Sequence, residues 1–182
     1  MRSPVAGFVL IALSVGCNAV STPTGPSLVA ASAEFSGEAG AATLSARSST
    51  VPIKGRLEGV ADPPEPDPPP STSFSAHLAA TVNATHLGRL TMDYSHRVEG
   101  LNGSGSAIFT APNGDSFTTT VEGTATPTSS PTAFIVVETH TITATGGVGR
   151  FADLRGSFVV TRTVDFLDPF TAGSIEGMLI KQ

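Results

Sequence analysis

The sequence has no tryptophan, one tyrosine (Tyr94), one cysteine (Cys17) and few charges, with Asp, Glu, Lys and Arg making up 14% of its 182 residues. Each shortage excludes something. A single cysteine cannot form an internal disulfide, and no Cys/His spacing of the zinc type is present. The four histidines, His77, His86, His96 and His140, match no zinc motif either, so no metal is expected. A formal net charge of -5, with no basic groove and no interleaved aromatics, excludes a nucleic-acid footprint. No apolar run reaches the roughly 20 residues that a membrane-spanning helix needs. No G-x-S-x-G elbow occurs. Gly103-Ser104-Gly105-Ser106 is not followed by a phosphate-binding lysine and helix, so it reads as a hairpin turn. No residue cluster names a reaction or a cofactor.

The N-terminus carries an address. Arg2 precedes an apolar run, Val5 to Val15, broken only by Gly7 and Ser14. That length fits the h-region of a secretory signal. The run ends in Ser14-Val15-Gly16-Cys17, which resembles the bacterial lipobox, in which the chain is cut before a cysteine that receives lipid. Gly16 and Cys17 match that pattern, and Ser14 stands where leucine is usual. The resemblance implies a signal peptide over residues 1–16, lipidation of Cys17 and a place in the cell envelope. In a Gram-negative cell, Asn18 after the cysteine implies the outer membrane. The acyl chains would supply the membrane affinity.

Beyond Cys17, Ser, Thr, Ala, Gly and Pro dominate up to about Ser49 with no sustained period, so residues 17–49 read as a tether. From residue 50 to 182 the pattern changes. Threonine, serine and valine are abundant, and β-branched side chains suit a pleated surface better than a helix. Apolar residues alternate with polar ones. Phe74, Leu78 and Val82 interleave with Ser75, His77 and Thr81, and Phe158, Val160, Val164 and Phe166 interleave with Thr161, Thr163 and Asp165. About eight such runs are separated by turn chemistry, including Asn102-Gly103, Asn113-Gly114-Asp115, Gly146-Gly147 and Asp168-Pro169. The six prolines of residues 62–70 fix φ and remove donors, so that stretch reads as an exposed loop. With no helical pattern between strands, hairpins are the natural connections. The expected fold is all-β and antiparallel, and strands with one apolar face could close into a barrel or stack as a sandwich.

Thr145-Gly146-Gly147-Val148-Gly149-Arg150-Phe151-Ala152-Asp153-Leu154-Arg155-Gly156 resembles the GGTG(K/R)F…G turn of dirigent proteins and allene oxide cyclases. Gly146, Gly147, Gly149, Arg150, Phe151 and Gly156 match, and Val148 replaces the usual threonine. The resemblance implies a closed, or nearly closed, eight-stranded barrel in which Phe151 plugs one end. Glycines at such a turn permit positive φ. A wider likeness, over roughly residues 72–182, is to secreted bacterial proteins of this barrel type. It rests on His86-Leu87-Gly88-Arg89, Ala111-Pro112-Asn113-Gly114-Asp115 and Ile175-Glu176-Gly177. These motifs are turns, so they bear on fold rather than activity. Barrels of this kind assemble as dimers or trimers, and the sequence leaves the oligomeric state open.

Five polar residues share parity with the apolar face: Tyr94 and His96, Glu138 and His140, and Arg162. If those faces point inward, a buried charge must find a partner, and Glu138 with Arg162 on a neighbouring strand is the expected pair. The five are therefore the candidate ligand-binding residues. The residues that carry activity in dirigent proteins and allene oxide cyclases do not map here position by position. The expectation is an exported, non-catalytic barrel that binds a small apolar ligand or an envelope partner. A cyclase- or isomerase-type enzyme using the same residues, and a purely structural envelope protein, are the alternatives.

Overall fold

The computed structural model describes residues 48–181, so the signal segment, Cys17 and nearly all of the expected tether lie outside the described residues. Each run of alternation becomes a strand. The elements are β1 (Ser49–Ala61), β2 (Glu65–Pro66), β3 (Phe74–Ala84), β4 (Gly88–Glu99), β5 (Asn102–Thr110), β6 (Ser116–Pro127), β7 (Ala133–Ile142), a single 3-10 turn (Gly149–Phe151), β8 (Arg155–Asp165) and β9 (Asp168–Lys181). The proline stretch forms no long strand. It contributes only β2, laid against the start of β3 through Glu65↔Ser75 and Pro66↔Phe74.

All pairings are antiparallel, and each of β3 to β8 pairs with its successor among the long strands. Strand β1 decides between barrel and sandwich. It pairs with β9 through Ile53↔Gly177 and with β3 through Leu57↔Val82. The eight long strands therefore close on themselves, and none is left with an unpaired edge. The fold is a closed antiparallel eight-stranded barrel.

Period-two alternation puts one face of every strand inside. Ile53, Leu57, Leu78, Val82, Leu90, Phe109, Phe117, Phe158, Val160, Ile175 and Leu179 are buried there. One end is solid. Phe109 and Phe117 stack with centroids 4.8 Å apart, Phe158 meets Phe109 edge-on at 5.6 Å, and Phe151 meets Phe117 edge-on at 5.1 Å. Burial of each ring contributes about 1.5–3 kcal/mol, and each ring pair roughly 0.5–1.5 kcal/mol beyond that. Phe151 thus closes this end, as the glycine turn implied.

Large inward residues face glycine on the next strand. His96 opposes Gly105, Glu138 opposes Gly123, Arg162 opposes Gly173 and Phe158 opposes Gly177. A Cβ at any of these glycines would run into the opposite residue. Small-against-large pairing is how a narrow barrel accommodates bulk without voids or overlap.

The turn before β8 uses its glycines in two ways. Gly149 has φ of +63°, whereas Gly147 lacks positive φ and is needed because the Phe151 carbonyl passes against it. At Gly149 a side chain would also meet the Asp115 carboxylate. Gly149→Ala is therefore expected to cost about 1–3 kcal/mol, the scale of backbone strain plus a displaced neighbour. Gly114 supplies the control: its φ is +89°, but open space surrounds it, so Gly114→Ala carries strain alone. Urea unfolding should show the larger loss for Gly149→Ala. Equal losses would mean that the Asp115 contact contributes nothing.

Candidate functional site

The other end of the barrel is open. There β4 presents Tyr94 and His96, β7 presents Glu138 and His140, and β8 presents Arg162, all on the inward parity. The structure brings these five together in one layer. Arg162 Nε donates to Glu138 Oε2 and Arg162 Nη2 to Glu138 Oε1, both at 2.8 Å. The pair is diagonal across β7 and β8, since Glu138 opposes Val160 and Arg162 opposes Val136. Only 3% of Glu138 and 5% of Arg162 are exposed.

Burial disfavours the charged form of Glu138. The two hydrogen bonds and the charge of Arg162 outweigh it and hold the carboxyl below its usual range. Arg162 is held above its own range: burial opposes its charge, and the hydrogen-bonded carboxylate outweighs that burial. Both members stay ionised, joined by the strongest geometry available to such a pair.

The histidines behave oppositely. Burial lowers His140 to about 4, with the charge of Arg162 also lowering it against that of Glu138. Burial, then the charge of Arg162, lowers His96 to about 4. His140 Nδ1 lies 3.0 Å from Thr119 Oγ1, its ring stacks on Phe158 at 5.0 Å, and its Nε2 has no hydrogen-bond partner. The His96 ring stacks on Tyr94 at 4.3 Å. Burial, then the charge of Glu138, raises the Tyr94 hydroxyl out of reach of physiological titration. At neutral pH the layer therefore holds one ion pair, two neutral imidazoles and one neutral phenol. Glu138 is a poor proton donor there, and both its oxygens are already accepting from Arg162.

Above this layer lies a chamber of about 510 Å³, within the range of small-molecule sites. Leu78, Val98, Phe134, Val136 and Val164 give it apolar walls, while His96, Glu138 and Arg162 bring the polar layer to it. Tyr94 and His140 do not reach it. They lie deeper, between the chamber and the phenylalanine plug.

Sequence reasoning missed the rim. The β8–β9 hairpin leans over the mouth, with Phe166 edge-on to Phe134 at 5.4 Å and to Phe74 at 6.4 Å. Phe166, Leu167 and Phe170 are 55%, 81% and 69% exposed. Phe166 was expected on the inner face of β8, and the turn at Asp168-Pro169. A register shift between Thr163 and Asp165 ends the alternation, so Phe166 and Leu167 form the tip and Asp168-Pro169 open β9. The Leu167 N–H donates to Asp165 Oδ1 and the Phe170 N–H to Asp168 Oδ1, each at 3.0 Å.

The opposite side of the mouth is the proline stretch, through Asp62, Pro63 and Pro64. It is pinned at both ends. His77, on the outer face as its parity predicted, puts Nδ1 2.9 Å from Asp62 Oδ2 and Nε2 3.3 Å from Asp93 Oδ2. A neutral imidazole has one N–H, so contact with two carboxylates suits the imidazolium. Its pKa is raised, first by the hydrogen bond to Asp62 and then by that to Asp93. Farther along, Arg97 Nη2 donates to Ser73 Oγ at 2.8 Å and sits 2.7 Å from Asp67 Oδ2, a charge contact rather than an aligned hydrogen bond. Among the described residues no cluster of His, Cys, Asp and Glu could hold a metal.

No protein-family profile matches the chain, and no curated protein matches it. Among solved structures it is similar to a pterocarpan synthase dirigent protein, at 11% sequence identity and a TM-score of 0.48, over 74% of this chain and 89% of that one. The barrel described above rests on its own strand register.

Proposed function

We propose that this protein binds a small apolar ligand in the barrel chamber without transforming it, and that it works as an exported envelope protein held by lipid on Cys17. The observation that carries the first half is the chamber itself, apolar-walled, open at one end and sealed by phenylalanines at the other. Glu138 and Arg162 serve that reading as wall rather than as catalysts, since the pair holds both groups ionised and leaves the carboxyl a poor proton donor. The second half is supported by the apolar run and the Gly16-Cys17 junction of the leader.

The chamber is tested with a neutral fluorescent probe, N-phenyl-1-naphthylamine, titrated into the purified protein. Saturable binding is expected. Val136→Trp, which projects bulk into the open volume, should weaken it at least ten-fold with little change in melting temperature. A protein that binds no apolar probe, or a Val136→Trp variant that binds as well as the parent, would sink this half. For the anchor, an alkyne-bearing palmitate fed to expressing bacteria should label the full chain, and Cys17→Ser should remove both label and membrane association. Labelling that survives Cys17→Ser rules out the anchor while leaving the chamber untouched.

A further inference from the structure

We infer that the chamber's ligand carries a carbonyl group, not a carboxylate, whose oxygen accepts a hydrogen bond from Arg162 Nη1 while its apolar body fills the chamber. This rests on the chamber being a binding site and adds the ligand's chemistry.

The argument starts from the donors that Glu138 leaves over. A guanidinium has five N–H donors in one plane. Glu138 takes one on Nε and one on Nη2. Both N–H groups of Nη1 and the second of Nη2 have no partner among the described residues. Only 5% of Arg162 is exposed. Nη1 is nevertheless not sealed in, since the buried atoms without a partner are Asp67 Oδ2, His96 Nδ1 and His140 Nε2. Arg162 lines the chamber, so the space that Nη1 meets is the chamber. The Thr124 and Thr171 hydroxyls at its wall already donate, to Asn102 Oδ1 and to the Thr163 carbonyl.

A ligand that fills the chamber displaces water from Nη1. A wholly apolar one leaves a charged donor buried and unpaired, which costs more than one hydrogen bond contributes. A carbonyl oxygen takes over the place of that water. Its two lone pairs suit neighbouring N–H groups on Nη1 and Nη2. Val136 and Val164 flank Arg162 in the chamber wall, and apolar surroundings strengthen such a bond.

A carboxylate would also accept from Nη1, but the charge count opposes it. Glu138 already balances the guanidinium, so a second carboxylate there would force one of the two to take up a proton. To arrive, it would pass Asp165 and Asp168, which line the mouth with backbone N–H groups as their only hydrogen-bond partners. A carbonyl brings the same acceptor without the charge.

The test is displacement of N-phenyl-1-naphthylamine at pH 7.5 by three competitors of one shape. They are 2-acetylnaphthalene, 2-isopropenylnaphthalene, in which C=CH2 replaces C=O, and 2-naphthoate. Each protein is read by its ratio of ketone to alkene affinity, so that a general change in the chamber cancels. The ratio should fall about ten-fold or more in Glu138→Leu/Arg162→Met, the effect of losing one hydrogen bond to a charged group. In the parent protein, 2-naphthoate should bind at least ten-fold more weakly than the ketone. The infrared C=O stretch of the bound ketone, which needs no variant, should lie below its position in hexane. A ratio that the double variant leaves unchanged overturns the inference, as does a stretch that matches hexane. Naphthoate binding as tightly as the ketone overturns the choice of carbonyl over carboxylate. Each of these leaves the chamber reading standing, whereas failure of the probe to bind removes both.

Discussion

Replacing Arg162 by methionine is expected to destabilise the barrel by about 3–5 kcal/mol, the range seen when one partner of a buried ion pair is removed. Glu138 would be left 3% exposed with neither of its two hydrogen bonds, in a layer where the other titratable groups are neutral. It would have to bind a proton to remain inside, so its pKa should rise from below the usual range to above it. Glycines sharpen the effect. Gly123 and Gly173 leave spaces shaped to the Glu138 and Arg162 side chains, so truncation opens volume that no neighbour fills. The double variant Glu138→Leu/Arg162→Met tests the cause. It removes both charges and keeps most of the apolar bulk, and such replacements are often close to neutral. Urea unfolding of the two variants should show the double recovering most of the loss of the single. A loss under about 1 kcal/mol for Arg162→Met would place the pair among exposed salt bridges and contradict a dry wall.

Much of this site was legible in the sequence because a strand's period is two. Once Phe134 and Phe158 mark the inner face, Glu138, His140 and Arg162 must share it, and the need to neutralise buried charge pairs Glu138 with Arg162. Closure was less legible, since the same alternation serves a sandwich. It depends on β1 pairing with both β3 and β9, a contact between distant parts of the chain. The hairpin tip was misplaced because alternation carries no information past a register shift. The shift between Thr163 and Asp165 belongs to the pairing with β9 rather than to either strand alone. The chamber was invisible for a different reason. Both ends of the barrel show the same periodicity and differ only in bulk: Phe109, Phe117 and Phe158 fill one end, whereas Gly103, Gly123 and Ala125 line the other. The rim acids, Asp62, Asp165 and Asp168, come from connections far apart in sequence, which only the closed topology gathers at one mouth.

Acid should destabilise this protein before its carboxylates are titrated, and His96 and His140 set the window. Each has an ordinary value of 6.5 and is lowered to about 4 in the folded barrel. Between those values the unfolded chain binds more protons than the folded one, so stability rises with pH there and falls as pH drops from 6.5 towards 4. For His140, fully enclosed by Thr119, Phe109 and Phe158, the loss by pH 4 is about 3 kcal/mol. His96 borders the chamber and should lose less. Glu138 acts lower down. Its folded value is depressed, so its contribution is intact above its ordinary 4.5 and disappears as pH falls through the folded value. His77 has the opposite sign: with its pKa raised, its contribution is complete below 6.5 and is lost as pH climbs through the folded value. That change falls above 6.5, outside the acid window, and it is small because the ring sits at the surface, where solvent screens its carboxylate contacts. The net expectation is a urea midpoint that is steady above pH 7 and declines steeply between 6.5 and 4, with His140→Phe flattening roughly half of that slope. A histidine-resolved NMR titration separates the contributions, His77 protonating above 6.5 while His96 and His140 stay neutral until near 4. A flat midpoint down to pH 4.5, or buried imidazoles that titrate near 6.5, would mean that water passes from the chamber down to His140, and the packing of that ring against Phe109 and Phe158 would not seal the floor.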